Sequence, residues 1–332
     1  MPGAFRPLDN GRSGSDGRAV FTPRKDNLPF SESVMRNCFL ALLLMGSAAV
    51  SSVAQAGPVK GIDGRTVDVP TPKRVVVLNS SLVEIVFGLG QGQTVVGTDV
   101  TATYPPETAN IAKVGHPYQP SVEGIISLSP DLVIGAEENL TSTSAEQLRG
   151  AKLPVLILEN SSKEGISGLL RRIEVLARVF NAEEAGQRMK QDITRQVAEL
   201  EKKIALAKKK PRVLFLYAHS PGEAFVYGKE TGTHALIELA GGQNAADFTT
   251  GTKALTAEGM VQASPDAIIM LHRGLEAVSG VHGALNLPGV AVTPAGKNKK
   301  ILAVDNSVRW IGPRFPAFAE KLFSEIHAAP SR

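Results

Sequence analysis

The side chains able to do chemistry in this sequence are sparse and unclustered. Six histidines (His116, His219, His234, His272, His282 and His327) show no paired spacing of the kind that seats a metal ion. No Gly-x-Ser-x-Gly elbow, His-Glu-x-x-His pair or Gly-x-x-x-x-Gly-Lys-Ser/Thr loop occurs. Gly88-Leu-Gly-Gln-Gly92 has the look of a phosphate loop, but it follows a helical run instead of opening one, which makes it a helix cap and turn. There are four tyrosines: Tyr104, Tyr118, Tyr217 and Tyr227. Tyr104 lies in Thr101-Ala-Thr-Tyr-Pro-Pro106, where two prolines forbid a helix. A phenol held in such a loop can hydrogen-bond a ligand, bind ferric iron once deprotonated, or pack on its proline as an ordinary surface residue.

The elements that would position these groups follow from hydrophobic periodicity. Arg74 to Asn79, Thr94 to Gly97, Asp131 to Ile134 and Val155 to Leu158 read as short strands, and Leu82 to Leu89 as a helix stopped by Gly90. Strands alternating with helices predict an α/β lobe over 57–162 with a largely parallel sheet. Loops beyond the carboxyl ends of such strands form a ligand crevice, and the Tyr104 loop follows one of them. Residues 163–210 carry a helical apolar period through Leu169, Ile173, Leu176 and Phe180, resuming after Asn181 at Met189, Ile193, Val197 and Leu200. This predicts a linking helix, one or two in line. From 211 the α/β rhythm restarts with Val213 to Tyr217, a helix through His234 to Ala240, and Ala267 to Leu271.

The two halves share a segment. Val122 to Ile134 lies over Ala257 to Ile269 at a constant offset of 135, with Glu-Gly at 123–124 and 258–259 and Ser-Pro-Asp at 129–131 and 264–266. Two occurrences do not make a solenoid. They imply two Rossmann-like lobes joined by a single long helix, with a ligand cleft between them.

The start of the chain has a different character. Met35-Arg36-Asn37-Cys38, the apolar run Phe39 to Val50 and Ala54-Gln-Ala56 have the build of a secretory signal peptide, too short for a membrane span. Residues 1–56 are therefore expected to be an N-terminal extension and leader cleaved after Ala56, and export to the periplasm follows. The leader takes with it the single cysteine, six Lys/Arg and four Asp/Glu, so the net charge falls from +4 to +2. The remaining chain suits an oxidising compartment, and the weak charge argues against nucleic acid. The lysine run 208–210 reads as a solvated helix end.

Taken in order, RVVVLN, VEIVFGLG, VVGTDVTATYPPE, VGHPYQPSVEGIISLSPDLVIGAEE, the long helix and LNLPGVAVTPAGKNKKIL resemble the haemin-binding periplasmic proteins of bacterial haem ABC importers. The Glu-x-Ile-x-x-Leu-x-Pro-Asp pattern is shared with cobalamin- and siderophore-binding relatives. The Thr101-Ala-Thr-Tyr-Pro segment and Leu287-Pro-Gly-Val-Ala-x-Thr-Pro-Ala-Gly296 are similar to the haemin branch. The resemblance implies a monomeric, non-catalytic receptor that carries haem as cargo, with Tyr104 as axial iron ligand. Arg273 would meet a haem propionate or the phenolate, His272 would be a second contact, and Arg309 and Trp310 either line the cleft or face solvent. Glu123 and Glu258, one per lobe, would dock the inner-membrane permease and its ATPase. A cobalamin or ferric-siderophore receptor of the same fold is the alternative. A secreted metal-dependent hydrolase or a metal-ion receptor would need a His/Asp/Glu cluster that the sequence lacks.

Overall fold

A computed structural model describes residues 57–220 and 223–328. The leader expected at 1–56 lies outside the described residues.

In the N-terminal lobe, aliphatic and β-branched runs make the strands Val75–Val77 (β1), Val95–Thr98 (β2), Ala112–Lys113 (β3), Leu132–Ala136 (β4) and Val155–Leu158 (β5). They pair in the order β3-β2-β1-β4-β5, every pair parallel. Every residue of β1, β4 and β5 is buried, as a parallel sheet covered on both faces requires. The helices of this lobe are Ser80–Gly88 (α1), Val122–Ser127 (α2) and Ser142–Gly150 (α3). Asn79 starts α1: its side-chain oxygen accepts from the Ser81 amide at 2.9 Å, while its own amide donates to Asp99. One asparagine thereby caps a helix and ties the ends of β1 and β2 together.

Residues 163–210 hold two helices, lying side by side and not in line. Gly165–Val179 (α4) ends at Asn181, which takes a left-handed φ of 50°. The Asn181 amide donates to the Arg178 carbonyl and the Ala182 amide to the Ala177 carbonyl, the Schellman pattern that ends a helix and turns the chain. Glu183–Ala205 (α5) then returns against α4. Lys190 pairs with Glu174 at 3.0 Å, and Gly186 approaches so closely that a Cβ there would stand 2.6 Å from the Ala177 methyl. With 23 residues, α5 is about 34 Å long and runs from lobe to lobe. Met189 lies against Gly88 of α1, and Lys203 pairs with Glu320 of the C-terminal lobe. The two-lobed α/β architecture joined by one long helix stands, with that helix confined to 183–205.

The C-terminal lobe contains Arg212–Ser220 (β6), Glu223–Tyr227 (β7), Gln243–Asn244 (β8), Thr252–Ala254 (β9), Ala267–Leu271 (β10) and Ile301–Val304 (β11). Its helices include Gly232–Leu239 (α6), Ala257–Ala263 (α7), His272–Ala277 (α8) and Phe315–His327 (α9). The parallel core β8-β6-β10-β11 repeats the order β2-β1-β4-β5, while antiparallel β7 and β9 extend the sheet beyond the far half of β6.

The repeat seen in the sequence extends to hydrogen bonds. Ser121 and Thr256 cap α2 and α7 by accepting from Gly124 and Gly259. Ser129 and Ser264 both take positive φ, 47° and 41°. Asp131 accepts from the amides of Lys73 and Arg74, and Asp266 from the amide of Arg212. The Arg74 guanidinium donates to the Leu128 and Ser129 carbonyls just past α2, and the Arg212 guanidinium to the Ala263 carbonyl that ends α7.

One apolar cluster runs through both lobes, taking Val75, Val77 and Leu82 from the first, Ile173 and Ile193 from α4 and α5, and Phe215, Ile269 and Phe315 from the second. Smaller clusters cover the other face of each sheet. No helix among the described residues is long and apolar enough to cross a membrane.

Candidate ligand-binding site

The order of the first sheet reverses between β1 and β4, which places a ligand crevice outside the carboxyl ends of these strands. Asn79 leaves β1 there, the Asp99–Tyr104 loop leaves β2, and Glu138 and Asn139 leave β4. From the other lobe, His272 and Arg273 follow β10, and the stretch from Asp305 to Arg314 follows β11.

Tyr104 is 43% exposed and makes no side-chain hydrogen bond among the described residues. The guanidinium of Arg314, which belongs to the C-terminal lobe, lies 3.8 Å from its ring centroid, well inside cation–π range. Arg314 donates to Glu84 of α1 at 2.6 Å and to Ser307 at 3.2 Å, and stands 3.6 Å from Asp305. Glu84 is buried, and that burial outweighs the nearby arginine, so its carboxyl titrates above the ordinary range. Burial pushes Asp305 the same way. Hydrogen bonds from Ser307 and the charges of Arg314 and His272 outweigh it, however, and hold Asp305 below the ordinary value. Tyr104, Arg314, Asp305 and His272 form a chain of neighbours that crosses from lobe to lobe. The Arg273 backbone amide is anchored by Asn306 at 3.3 Å, and its side chain is exposed, as is His272.

A second group of rings stands beside this chain. Tyr118, in the hairpin of Gly115–His116 and Gln119–Pro120, lies 5.5 Å from the His116 ring. Burial raises its phenol pKa against the opposing charge of Arg309 from the other lobe. Arg309 packs 4.6 Å from the Trp310 ring and 6.0 Å from Tyr217, which neighbours Tyr227 at 6.0 Å. Trp310 is 2% exposed, so the solvent-facing option for Arg309 and Trp310 is excluded. Their backbone joins the lobes: the Arg309 carbonyl accepts from Ser162, and Ile311 exchanges bonds with Ser161 and Arg172. Below them Glu138 accepts from the Ser161 amide and from Asn79, and burial raises its carboxyl as well.

Glu123 and Glu258 take part in none of these contacts. Both are exposed in the first turns of α2 and α7, at equivalent places on the two lobes. A cavity of about 1210 Å³ lined by Lys208, Lys209, Lys299 and His327 opens at the amino ends of β6, β10 and β11, the opposite end of that sheet from His272 and Arg273. Among the described residues no group of three or more His, Cys, Asp or Glu is placed to hold a metal ion.

The sequence reading missed Arg314 and Glu84. Glu84 carried a signal: it is the one charge in the apolar helix Leu82-Val-Glu-Ile-Val-Phe87, and a carboxylate on a buried face needs a partner. That the partner lies 230 residues away was not encoded in any local pattern.

Residues 75–308 match the family model described as periplasmic binding protein. The chain belongs to the periplasmic binding protein family. Within that family it is similar to the solved structure of the periplasmic heme-binding protein RhuT from Roseiflexus sp. RS-1 in apo form. The two are 35% identical with a TM-score of 0.73, over 77% of this chain and 98% of that one. It is also similar to the uncharacterized ABC transporter substrate-binding lipoprotein YvrC of Bacillus subtilis (strain 168), 28% identical over 77% of this chain and 80% of the relative. A cobalamin-binding protein of Halobacterium salinarum is likewise 28% identical, over 77% of this chain and 70% of the relative. These family relatives are named for what they bind, not for a reaction.

Proposed function

We propose that this protein is a periplasmic receptor that captures haem between its two lobes and delivers it to an ABC importer. The observation that carries the reading is Tyr104: an exposed phenol in the crevice, with no hydrogen bond among the described residues and with the Arg314 guanidinium of the opposite lobe against its ring. Phenolate is a hard anionic donor suited to ferric iron, and tyrosine serves as a haem ligand in other proteins. On ligation the phenol loses its proton and the oxygen binds iron. Arg273 supplies a guanidinium to a haem propionate, and His272 makes a second contact from α8. The protein performs no reaction on its cargo. The likeness to a heme-binding structure over nearly all of that chain supports this choice of ligand.

The exposed Glu123 and Glu258 are assigned to docking on the permease, because a matched pair of carboxylates on two lobes fixes the register of a charged partner. The leader 1–56 is assigned to export with cleavage after Ala56, followed by an N-terminal lobe over 57–162, the linking segment 163–210 and a C-terminal lobe over 211–332. The mature protein acts as a monomer.

The test is a titration of the purified protein with haemin, followed by absorbance. A shifted Soret band that Tyr104→Phe greatly weakens is the expected result; no spectral change with haemin would sink the reading. Cobalamin is the second ligand to titrate, because the Halobacterium salinarum relative is named for binding it.

A further inference from the structure

We infer that Arg314 is the positioning residue for Tyr104: held from both lobes, it clasps the phenol by a ring face and so fixes where the hydroxyl oxygen meets an incoming iron. The inference rests on the haem reading. Its basis is that Arg314 is the one described residue that makes a charge or ring contact with this side chain. Tyr104 has no hydrogen bond, sits in a loop with no regular partner strand, and touches Arg314 at 3.8 Å from its centroid. A loop phenol left to itself would sample rotamers, and an iron bond to it would lose the entropy of choosing one.

Arg314, by contrast, is heavily constrained. Its guanidinium donates to Glu84 at 2.6 Å and to Ser307 at 3.2 Å, sits 3.6 Å from Asp305, and lies 4.8 Å from the Phe318 ring on the first turn of α9. Ser307 and Asp305 are themselves joined by hydrogen bonds of 2.8 and 2.5 Å. Glu84 is buried in the N-terminal lobe with its other oxygen unpartnered, so Arg314 is held to it by the need to compensate a buried charge. A planar guanidinium can lie against an aromatic face while its edge donates to carboxylates; a lysine ammonium cannot do both. The same side chain therefore carries information about lobe placement to the proposed ligand atom.

A simple lobe-to-lobe clamp would predict lost stability on substitution and nothing more, so the test reads the iron. Arg314→Lys retains a cation for Glu84 but loses the flat contact, and Arg314→Met in a Glu84→Gln background removes the pair without stranding a charge. Positioning predicts that both variants, with folding checked by circular dichroism, bind haemin about tenfold more weakly. Their ferric electron paramagnetic resonance spectra should split into more than one high-spin species where the parent shows one. Parental affinity and a single parental signal in both variants would overturn the inference. Tyr104→Phe separates the two levels. If it loses binding while the Arg314 variants match the parent, positioning alone is rejected. If it binds haemin as the parent does, Tyr104 is not the iron ligand and the inference falls, whereas a parent that gives no spectral change with haemin sinks the haem reading itself.

Discussion

Glu84 of the N-terminal lobe and Arg314 of the C-terminal lobe meet at 2.6 Å, 230 residues apart in sequence. Burial raises the Glu84 carboxyl above 4.5 despite this partner. The folded state therefore holds the Glu84 proton more tightly than the unfolded chain does. Its contribution to stability falls as pH rises from about 4.5 through the raised folded value. Urea unfolding of the parent and Glu84→Gln between pH 4 and 7 should show the parent losing ground to the variant as pH increases. A constant difference across that range would contradict the assignment.

Asp305 behaves with the opposite sign. Its folded carboxyl lies below 3.8, so it stabilises the fold above that value and the contribution is lost as pH falls through the depressed folded value. Asp305→Asn is expected to be less stable than the parent at pH 7, with the gap closing in acid below pH 3.8. Thermal melts at a series of pH values measure this.

Asn181 ends α4 in the left-handed region and its side-chain amide bonds to Thr71. Asn181→Ala should cost about 1–3 kcal/mol, the sum of a strained φ and a lost hydrogen bond. Asn181→Gly accepts the φ and should be more stable than Asn181→Ala by about 1–2 kcal/mol, the strain of the left-handed position. Urea midpoints of the two variants, compared at equal slope, decide it.

Charge reversal at Glu123 and Glu258 addresses the docking proposal. Both are exposed and take part in none of the crevice contacts, so the double variant to arginine should keep the parental melting temperature to within a few degrees and the parental haemin titration. Uptake of haem by cells carrying it should fall sharply. Unimpaired uptake would remove these glutamates from the docking surface.

Much of the fold was readable because the buried central strands announce themselves. Val155–Leu158 and Ala267–Leu271 are continuous apolar runs with the boundaries the sequence suggested, and the duplicated Glu-Gly and Ser-Pro-Asp positions marked two equivalent lobes. The hairpin of α4 and α5 was not read. The apolar stripe continues past Asn181 because both helices bury a face in the same core, and a stripe records which face is covered without recording a change of direction. Strands β7, β9 and β11 were also passed over. Thr252–Ala254 is an exposed edge strand, where no alternation in hydrophobicity is imposed. At the candidate site, the sequence placed Tyr104 in a proline-bound loop past a strand end and His272 and Arg273 just past a buried strand, while the roles assigned to them came from the family resemblance. Arg314 was not legible, since its partners, Glu84 and Tyr104 in one lobe and Ser307 and Asp305 in the other, are brought together only by the folded chain.

The single apolar cluster shared by the two lobes also bears on how the molecule comes apart. Val75 and Phe315 belong to the same packed body as Ile193 of the connecting helix, so exposing one lobe strips apolar cover from the other. Neither half is expected to fold on its own. Heating should therefore give one cooperative calorimetric transition with matching calorimetric and van't Hoff enthalpies, and a fragment ending at the connecting helix should collapse without a fixed tertiary structure.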